Sequence, residues 1–260
     1  MSDRTEQSIA DSLETDKKLL PHMPFLLQDL WALGSSVEYI LDLIGVSGFS
    51  PENTHILDLG CGKGAVSVQA ASRFGFQVTG VDFMESFLEE ARKKSREYDV
   101  SHLCSFKKKD IIEYVSCEHE FDVVILASLG GILGTLSETV ACLRTQVRSG
   151  GFMLVDDGYL RNANSMKRKG YEHCRNHSDS IKELTSFDDI IIKEMNTTDY
   201  SSKINYEYLY LIEKRAQELI ERYPDLKDDI QTYIKLQAEE CDVINDHFEG
   251  ALWLIQKADK

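Results

Sequence analysis

Asp58, Gly60, Gly62 and Gly64 stand close together in the run ILDLGCGKG (Ile56–Gly64). Glycine is needed where the backbone turns with positive φ, or where it must lie against a ligand without a Cβ in the way. Ile56, Leu57 and Leu59 read as a short buried strand before the turn, and AVSVQAASRF (Ala65–Phe74) reads as an amphipathic helix after it. A helix that starts at such a turn aims backbone N–H groups, with partial positive charge, above the strand ends. That suits a ligand with an anionic group, and Asp58 offers a negative contact to an amine on the same ligand. A second acid, Asp82, closes the strand GFQVTGVD (Gly75–Asp82). It lies about 20 residues beyond the turn, where a carboxylate can accept both hydroxyls of a ribose in a doubly wound fold. Turn, helix and Asp82 together imply a nucleoside-containing cofactor.

Dinucleotide sites space their glycines G-x-G-x-x-G, whereas the spacing here is G-x-G-x-G with Asp58 two residues ahead. ILDLGCGKG followed by VTGVDFMESFLEEARKK resembles the first two motifs of the class I S-adenosylmethionine-dependent methyltransferases. The likeness continues through KKKDIIEY (Lys107–Tyr114), FDVVILASLGG (Phe121–Gly131) and RSGGFMLVDDGYL (Arg148–Leu160), and covers Ile56 to Leu160 in order. The resemblance implies a three-layer Rossmann-like α/β fold, with a mostly parallel seven-stranded sheet and an antiparallel closing strand. It implies S-adenosyl-L-methionine as cofactor, with Gly60, Cys61 and Gly62 along its methionine part and Asp58 meeting its amine, directly or through water. Asp82 would hold the ribose hydroxyls, Phe83 would pack on the adenine, and Asp110 would accept from the adenine amino group under Ile111. Ser128 would belong to the wall between cofactor and substrate. The plainer reading has Asp58 capping the turn and Asp110 capping the next helix, since Asp is a favoured N-cap residue.

Methyl transfer from a sulfonium is an in-line displacement, so the protein mainly aligns the nucleophile and excludes water. A general base is needed only if the nucleophile is protonated. Asp156 and Asp157 end the fifth strand, in the zone where open α/β sheets bind ligands. Either is a candidate to take a proton or pair with a cationic amine, and either could instead cap the following turn. Other chemistries fit less well. Enzymes that methylate DNA amino groups carry Asn or Asp with two prolines and an aromatic after the fourth strand, where this chain has Ala127-Ser128-Leu129-Gly130. Metal-assisted catechol-type methylation would want an acid there too. His173 and His177 have the i, i+4 spacing that puts two imidazoles on one helix face, but zinc wants three or four ligands, so no metal is expected. The cysteines are too dispersed for arsenic methylation.

Around these residues the pattern alternates short strands with helices: Ile56–Leu59, Val78–Asp82, Phe106–Lys109, Val123–Ala127 and Phe152–Asp156. Asp188–Met195 and Gly250–Lys257 would match the antiparallel closing strands of the family. Residues 1–18 read as frayed, and the resemblance implies that residues 1–45 form an N-terminal helical lid segment, the alternative being a helix packed permanently on the sheet edge, with Trp31 the residue to watch. Ser35 and Glu38, and again Thr135 and Glu138, form capping boxes. Residues 46–160 form the cofactor-binding core, and 161–260 the second half of the same domain. That half carries a helical insertion at about 206–248, broken by Pro224. One stripe there runs Leu209, Ile212, Ala216, Leu219, Tyr223, and another Leu226, Ile230, Tyr233, Cys241, Ile244, Phe248. These stripes read as packing faces, with a roof over the substrate site or a homodimer contact as further uses.

The chain has 260 residues, 42% of them hydrophobic, enough for one large α/β domain. A formal net charge of −15 argues against a nucleic-acid surface, which needs clustered Lys and Arg. Six cysteines with no close pair fit a reduced, cytoplasmic protein. The polar start is no secretory signal, and the uncharged run Val123–Ser137 is too short for a bilayer, which takes roughly 20 residues. The expected function is methyl transfer to a small-molecule acceptor, with no nucleic-acid or membrane partner. The alternatives are a non-catalytic S-adenosylmethionine-binding regulatory protein and a protein methyltransferase.

Overall fold

Apolar residues fill both faces of the strand before the glycine turn, for Ile56 and Leu57 are each fully buried. A strand apolar on both faces belongs inside a sheet covered by helices on both sides. A computed structural model of the chain describes residues 3–46, 48–162, 165–168 and 170–259. Its seven strands are β1 (His55–Leu59), β2 (Gln77–Asp82), β3 (Cys104–Lys108), β4 (Phe121–Ala127), β5 (Val147–Leu160), β6 (Ile190–Asn196) and β7 (Phe248–Gln256). They form one sheet in the order β3-β2-β1-β4-β5-β7-β6. The first five pair in parallel, and β7 runs antiparallel between β5 and β6. The two closing strands are therefore not both reversed. β7 alone is, and β6 at the edge runs with the other five.

The helices are α1 (Asp3–Ser12), α2 (Met23–Leu26), α3 (Val37–Gly45), α4 (Ala65–Phe74), α5 (Glu85–Glu97), α6 (Ile111–Tyr114), α7 (Leu136–Arg144), α8 (His177–Leu184), α9 (Thr198–Arg222) and α10 (Lys227–His247). Period-two alternation sorts the strand side chains into two cores. Ile56, Val78, Val123, Ile125 and Leu154 pack with α3 and α4 on one face. Leu57, Val81, Val124, Met153, Val155 and Trp253 pack with α6, α7 and Leu184 on the other. The box at Thr135 and Glu138 forms, but the one expected at Ser35 and Glu38 does not. Ser36 is the N-cap of α3 and makes no side-chain cap bond; its N–H donates instead to the Asp156 carboxylate at 2.9 Å. A carboxylate from β5 supplies what the local sequence was expected to supply.

The N-terminal stretch is not frayed throughout, since Asp3–Ser12 is helical; Met1 and Ser2 lie outside the described residues. Pro224 breaks the insertion as expected, although its first helix starts at Thr198 rather than near 206. Ile212, Ala216, Leu219, Ile230 and Tyr233 bury against Leu19, Met23, Leu26, Leu27 and Leu30. Much of the two stripes thus packs on the N-terminal segment, where each side removes the other's apolar surface from water, while Ile244 and Phe248 pack with Leu160 and Cys174. Ion pairs join the same two parts, Arg215 to Asp29 at 2.6 Å and Lys18 to Asp229 at 3.6 Å. Among the described residues, no helix is long and apolar enough to cross a membrane.

Candidate active site

Three glycines turn the chain from β1 into α4 with φ of +68°, +51° and +73° at Gly60, Gly62 and Gly64. At Gly60 and Gly62 the missing Cβ also leaves room for a neighbour. A Cβ on Gly60 would overlap Leu129, and one on Gly62 would sit 3.1 Å from Leu33. The loop's N–H groups do not all face a ligand, contrary to expectation. Those of Gly60 and Cys61 donate to the Val81 carbonyl at 2.8 and 3.0 Å, and that of Gly64 to Cys61. That of Gly62 donates to Asp82 Oδ2 at 2.8 Å. The loop is stapled to the end of β2, which fixes its shape before any ligand arrives.

The second Asp82 oxygen accepts from the Met84 N–H at 2.8 Å. The Phe83 N–H also donates to this carboxylate, and with about two lone-pair directions per oxygen acceptor capacity remains for a hydroxyl. Asp58 is buried and accepts from the Ser67 hydroxyl at 2.5 Å. Burial pushes its carboxyl up to about 7 against the Ser67 bond, with Asp82 adding to the rise. Burial raises Asp82 as well and pushes the Cys61 thiol far up, so Cys61 contributes a neutral wall. Asp110 caps α6 through a 2.8 Å bond from Ile112, as the plainer reading held. It lines the cleft at the same time.

One cleft of about 1050 Å³, counting its mouth, is lined by Asp58, Gly60, Cys61, Gly62, Asp82, Phe83, Asp110, Ile111 and Ser128. Trp31 and Leu33 of the N-terminal segment close it from above. The lining offers an acid that could meet an amine, a carboxylate with acceptor capacity left for a hydroxyl, and an apolar pair that could cover an aromatic base. Lys63, between the glycines, fastens the cover. Its buried ammonium donates to the carbonyls of Leu27 and Leu30, and its own carbonyl accepts from Trp31 Nε1 at 3.0 Å. Burial lowers its pKa to about 8.

Ser128, Leu129 and Ile132 also line a second, larger chamber of about 3080 Å³, open to solvent. Ser128 holds φ at +55°, uncommon for a residue with a side chain, and its N–H is held by the Asp156 carbonyl at 3.0 Å. Asp156 and Asp157 both line this chamber, but the pleat turns them to opposite faces. Asp156 looks toward α3 and serves Ser36; burial pushes it up to about 7. Asp157 looks the other way, with Oδ2 3.4 Å from His173 Nε2.

His173 was not singled out as an acid–base residue. It sits in the segment before α8, not on a helix face with His177, and nothing in its sequence spacing announces Asp157. His177 begins α8 and bonds Glu194 at 2.8 Å, so the two imidazoles diverge. The His173 ring lies over Gly131, where a Cβ would come within 2.5 Å of Nδ1. Burial works against its charge, but the hydrogen bond and charge of Asp157 prevail and raise its pKa.

A methyltransferase-domain family model matches residues 50–209. The uncharacterized protein YjhP of Escherichia coli (strain K12) is 32% identical over 108 residues, 42% of this chain and 43% of that protein. The putative methyltransferase YqeM of Bacillus subtilis (strain 168) is 37% identical over 76 residues, 29% of each. These matches span less than half the length of either curated relative. The crystal structure of a SAM-dependent methyltransferase from Geobacter sulfurreducens in complex with S-adenosyl-L-homocysteine shares the fold. Its TM-score is 0.76 at 16% identity, over 90% of this chain and 96% of that one.

Proposed function

This chain belongs to the class I S-adenosylmethionine-dependent methyltransferases, and we propose that it methylates a small-molecule acceptor seated in the chamber behind Ser128. One observation carries this reading. The nine residues expected around the cofactor line a single cleft, and that cleft meets the chamber along Ser128, Leu129 and Ile132. Bound in the cleft, S-adenosylmethionine supplies an activated methyl group whose thioether leaving group needs no proton.

The chain's own residues do the rest. Asp58 holds the amine, Asp82 the ribose, and Phe83, Asp110 and Ile111 the adenine, so the cofactor is fixed at several separated points. Trp31, Leu33 and Leu129 cover the glycine loop and keep water from the reacting centre. His173, oriented by Asp157, takes the proton that the acceptor must lose. A chamber walled by α1, α9 and α10 suits a small molecule better than a protein segment, which would have to enter as extended chain.

Calorimetric titration with S-adenosylmethionine and S-adenosylhomocysteine, with NAD as control, tests the first half of this reading. Binding of roughly micromolar affinity is expected for both; no binding, or a preference for NAD, overturns it. A methyl-transfer assay with labelled cofactor over amines, phenols and basic proteins tests the second half. Turnover of a small molecule is expected. Labelling of protein alone, or binding without any turnover, favours the protein methyltransferase or the regulatory alternative.

A further inference from the structure

The chamber contains an acid pair that the transfer chemistry does not use. Glu14, just after α1, and Glu240, on α10, both line it, and their carboxyls lie close enough to share a hydrogen bond. Glu14 stands where an acid is locally disfavoured. Its φ is +45° at the end of a helix, a place that favours glycine, and a helix C-terminus repels negative charge. Arg168 reaches Glu14 at 3.2 Å, and Tyr171 donates its hydroxyl to Glu240 at 2.5 Å. Two carboxylates against one guanidinium leave one negative charge over. Below about pH 7 a proton fills that place, for burial and the Glu240 charge together push Glu14 up to about 7 against Arg168.

Tyr233 supplies an independent sign of a ligand. Its side chain is 3% exposed and lines the same chamber, near both acids. Its hydroxyl makes no hydrogen bond among the described residues and is not sealed off from the chamber, so it is free to meet a ligand there. Asp11, Lys17 and Glu172 line the chamber around the pair.

We infer that Glu14, Glu240 and the Tyr233 hydroxyl form a recognition site for an organic ammonium group, so that the methyl acceptor is a cationic amine. The inference rests on the reading that this chamber holds the acceptor. An ammonium carries the single positive charge the pair lacks, offers N–H donors to both carboxylates and one acceptor, and replaces the shared proton. A neutral or anionic acceptor would leave the buried acids to hold their proton.

The test is calorimetry of the full chain, saturated with S-adenosylhomocysteine, against n-butylammonium chloride, with n-butanol as the neutral isostere. Butylammonium is expected to bind and butanol is not. At about pH 6, binding should release close to one proton, seen as a heat that varies with the buffer's ionisation enthalpy. Glu240→Gln and Glu14→Gln should each weaken the amine at least about tenfold while leaving the affinity for S-adenosylhomocysteine intact. Equal binding of amine and alcohol, or unchanged amine binding in both variants, overturns the proposal. If the variants do not fold, the proton count on the native chain decides alone, and no release overturns it. Failure of S-adenosylhomocysteine to bind would strike the methyltransferase reading instead, and the amine is then scored on the free chain.

Discussion

Lys63 and Trp31 grip one another across the glycine loop. Trp31 Nε1 donates to the Lys63 carbonyl at 3.0 Å, and the Lys63 ammonium reaches back to the Leu30 carbonyl at 2.8 Å. The residue that turns the loop thereby anchors the segment that covers it. Lys63→Met keeps most of the buried stem but removes the ammonium donor from the Leu27 and Leu30 carbonyls, of which Leu27 keeps the Leu30 N–H. A loss of about 1–3 kcal/mol is expected, with faster amide exchange over residues 17–34 and weaker S-adenosylhomocysteine binding. Hydrogen exchange with and without that ligand checks both.

Asp82 is the residue whose loss should weaken cofactor binding most. Asp82→Ala removes the acceptor for a diol and also frees the N–H groups of Gly62 and Met84 that shape the loop. Calorimetry should show roughly a hundredfold weaker binding of S-adenosylhomocysteine. Asp82→Asn keeps one of these two acceptors and should fall between the native chain and the alanine variant.

Gly60→Ala tests the loop by geometry rather than charge. The new methyl would overlap Leu129 and would force a side chain onto φ of +68°. A loss of about 1–2 kcal/mol is expected from the backbone alone, read as a lower urea midpoint, along with weakened cofactor binding.

His173→Ala should lower kcat about a hundredfold or more while leaving S-adenosylhomocysteine affinity unchanged, because His173 lines the chamber and not the cofactor cleft. Asp157→Asn should lower it less. In the native chain the pH–rate profile should rise through a value above the ordinary imidazole range, since Asp157 raises the His173 pKa. The variant should lose that limb, which a merely structural role would not remove.

Stability and cofactor binding should respond to pH in opposite directions. Asp58 and Asp156 each sit near 7 in the folded chain, against 3.8 ordinarily. The folded state therefore holds extra protons between those values. The stability these two groups contribute is fullest below about pH 4 and is lost as pH rises through 7. Thermal melts of the free chain should drop by something on the order of 5 °C between pH 5 and pH 8. An amine beside Asp58 needs the carboxylate, so S-adenosylhomocysteine affinity should rise over the same range and level off above 7.

The sheet, the glycine turn and the acids at the strand ends were legible in the sequence because local rules set them. Period-two apolar runs mark strands buried on both faces, glycine marks positive φ, and an acid one strand later falls into register with the turn. The break at Pro224 and the cap at Thr135 obey rules of the same short range. What surrounds the acceptor was decided only in three dimensions. Asp157 and His173 meet across a loop, Glu14 and Glu240 come from opposite ends of the chain, and Asp156 caps a helix far away in sequence. No spacing links such pairs. Glu14 and Glu240 share the chamber wall because the insertion packs much of its apolar stripes on the N-terminal segment.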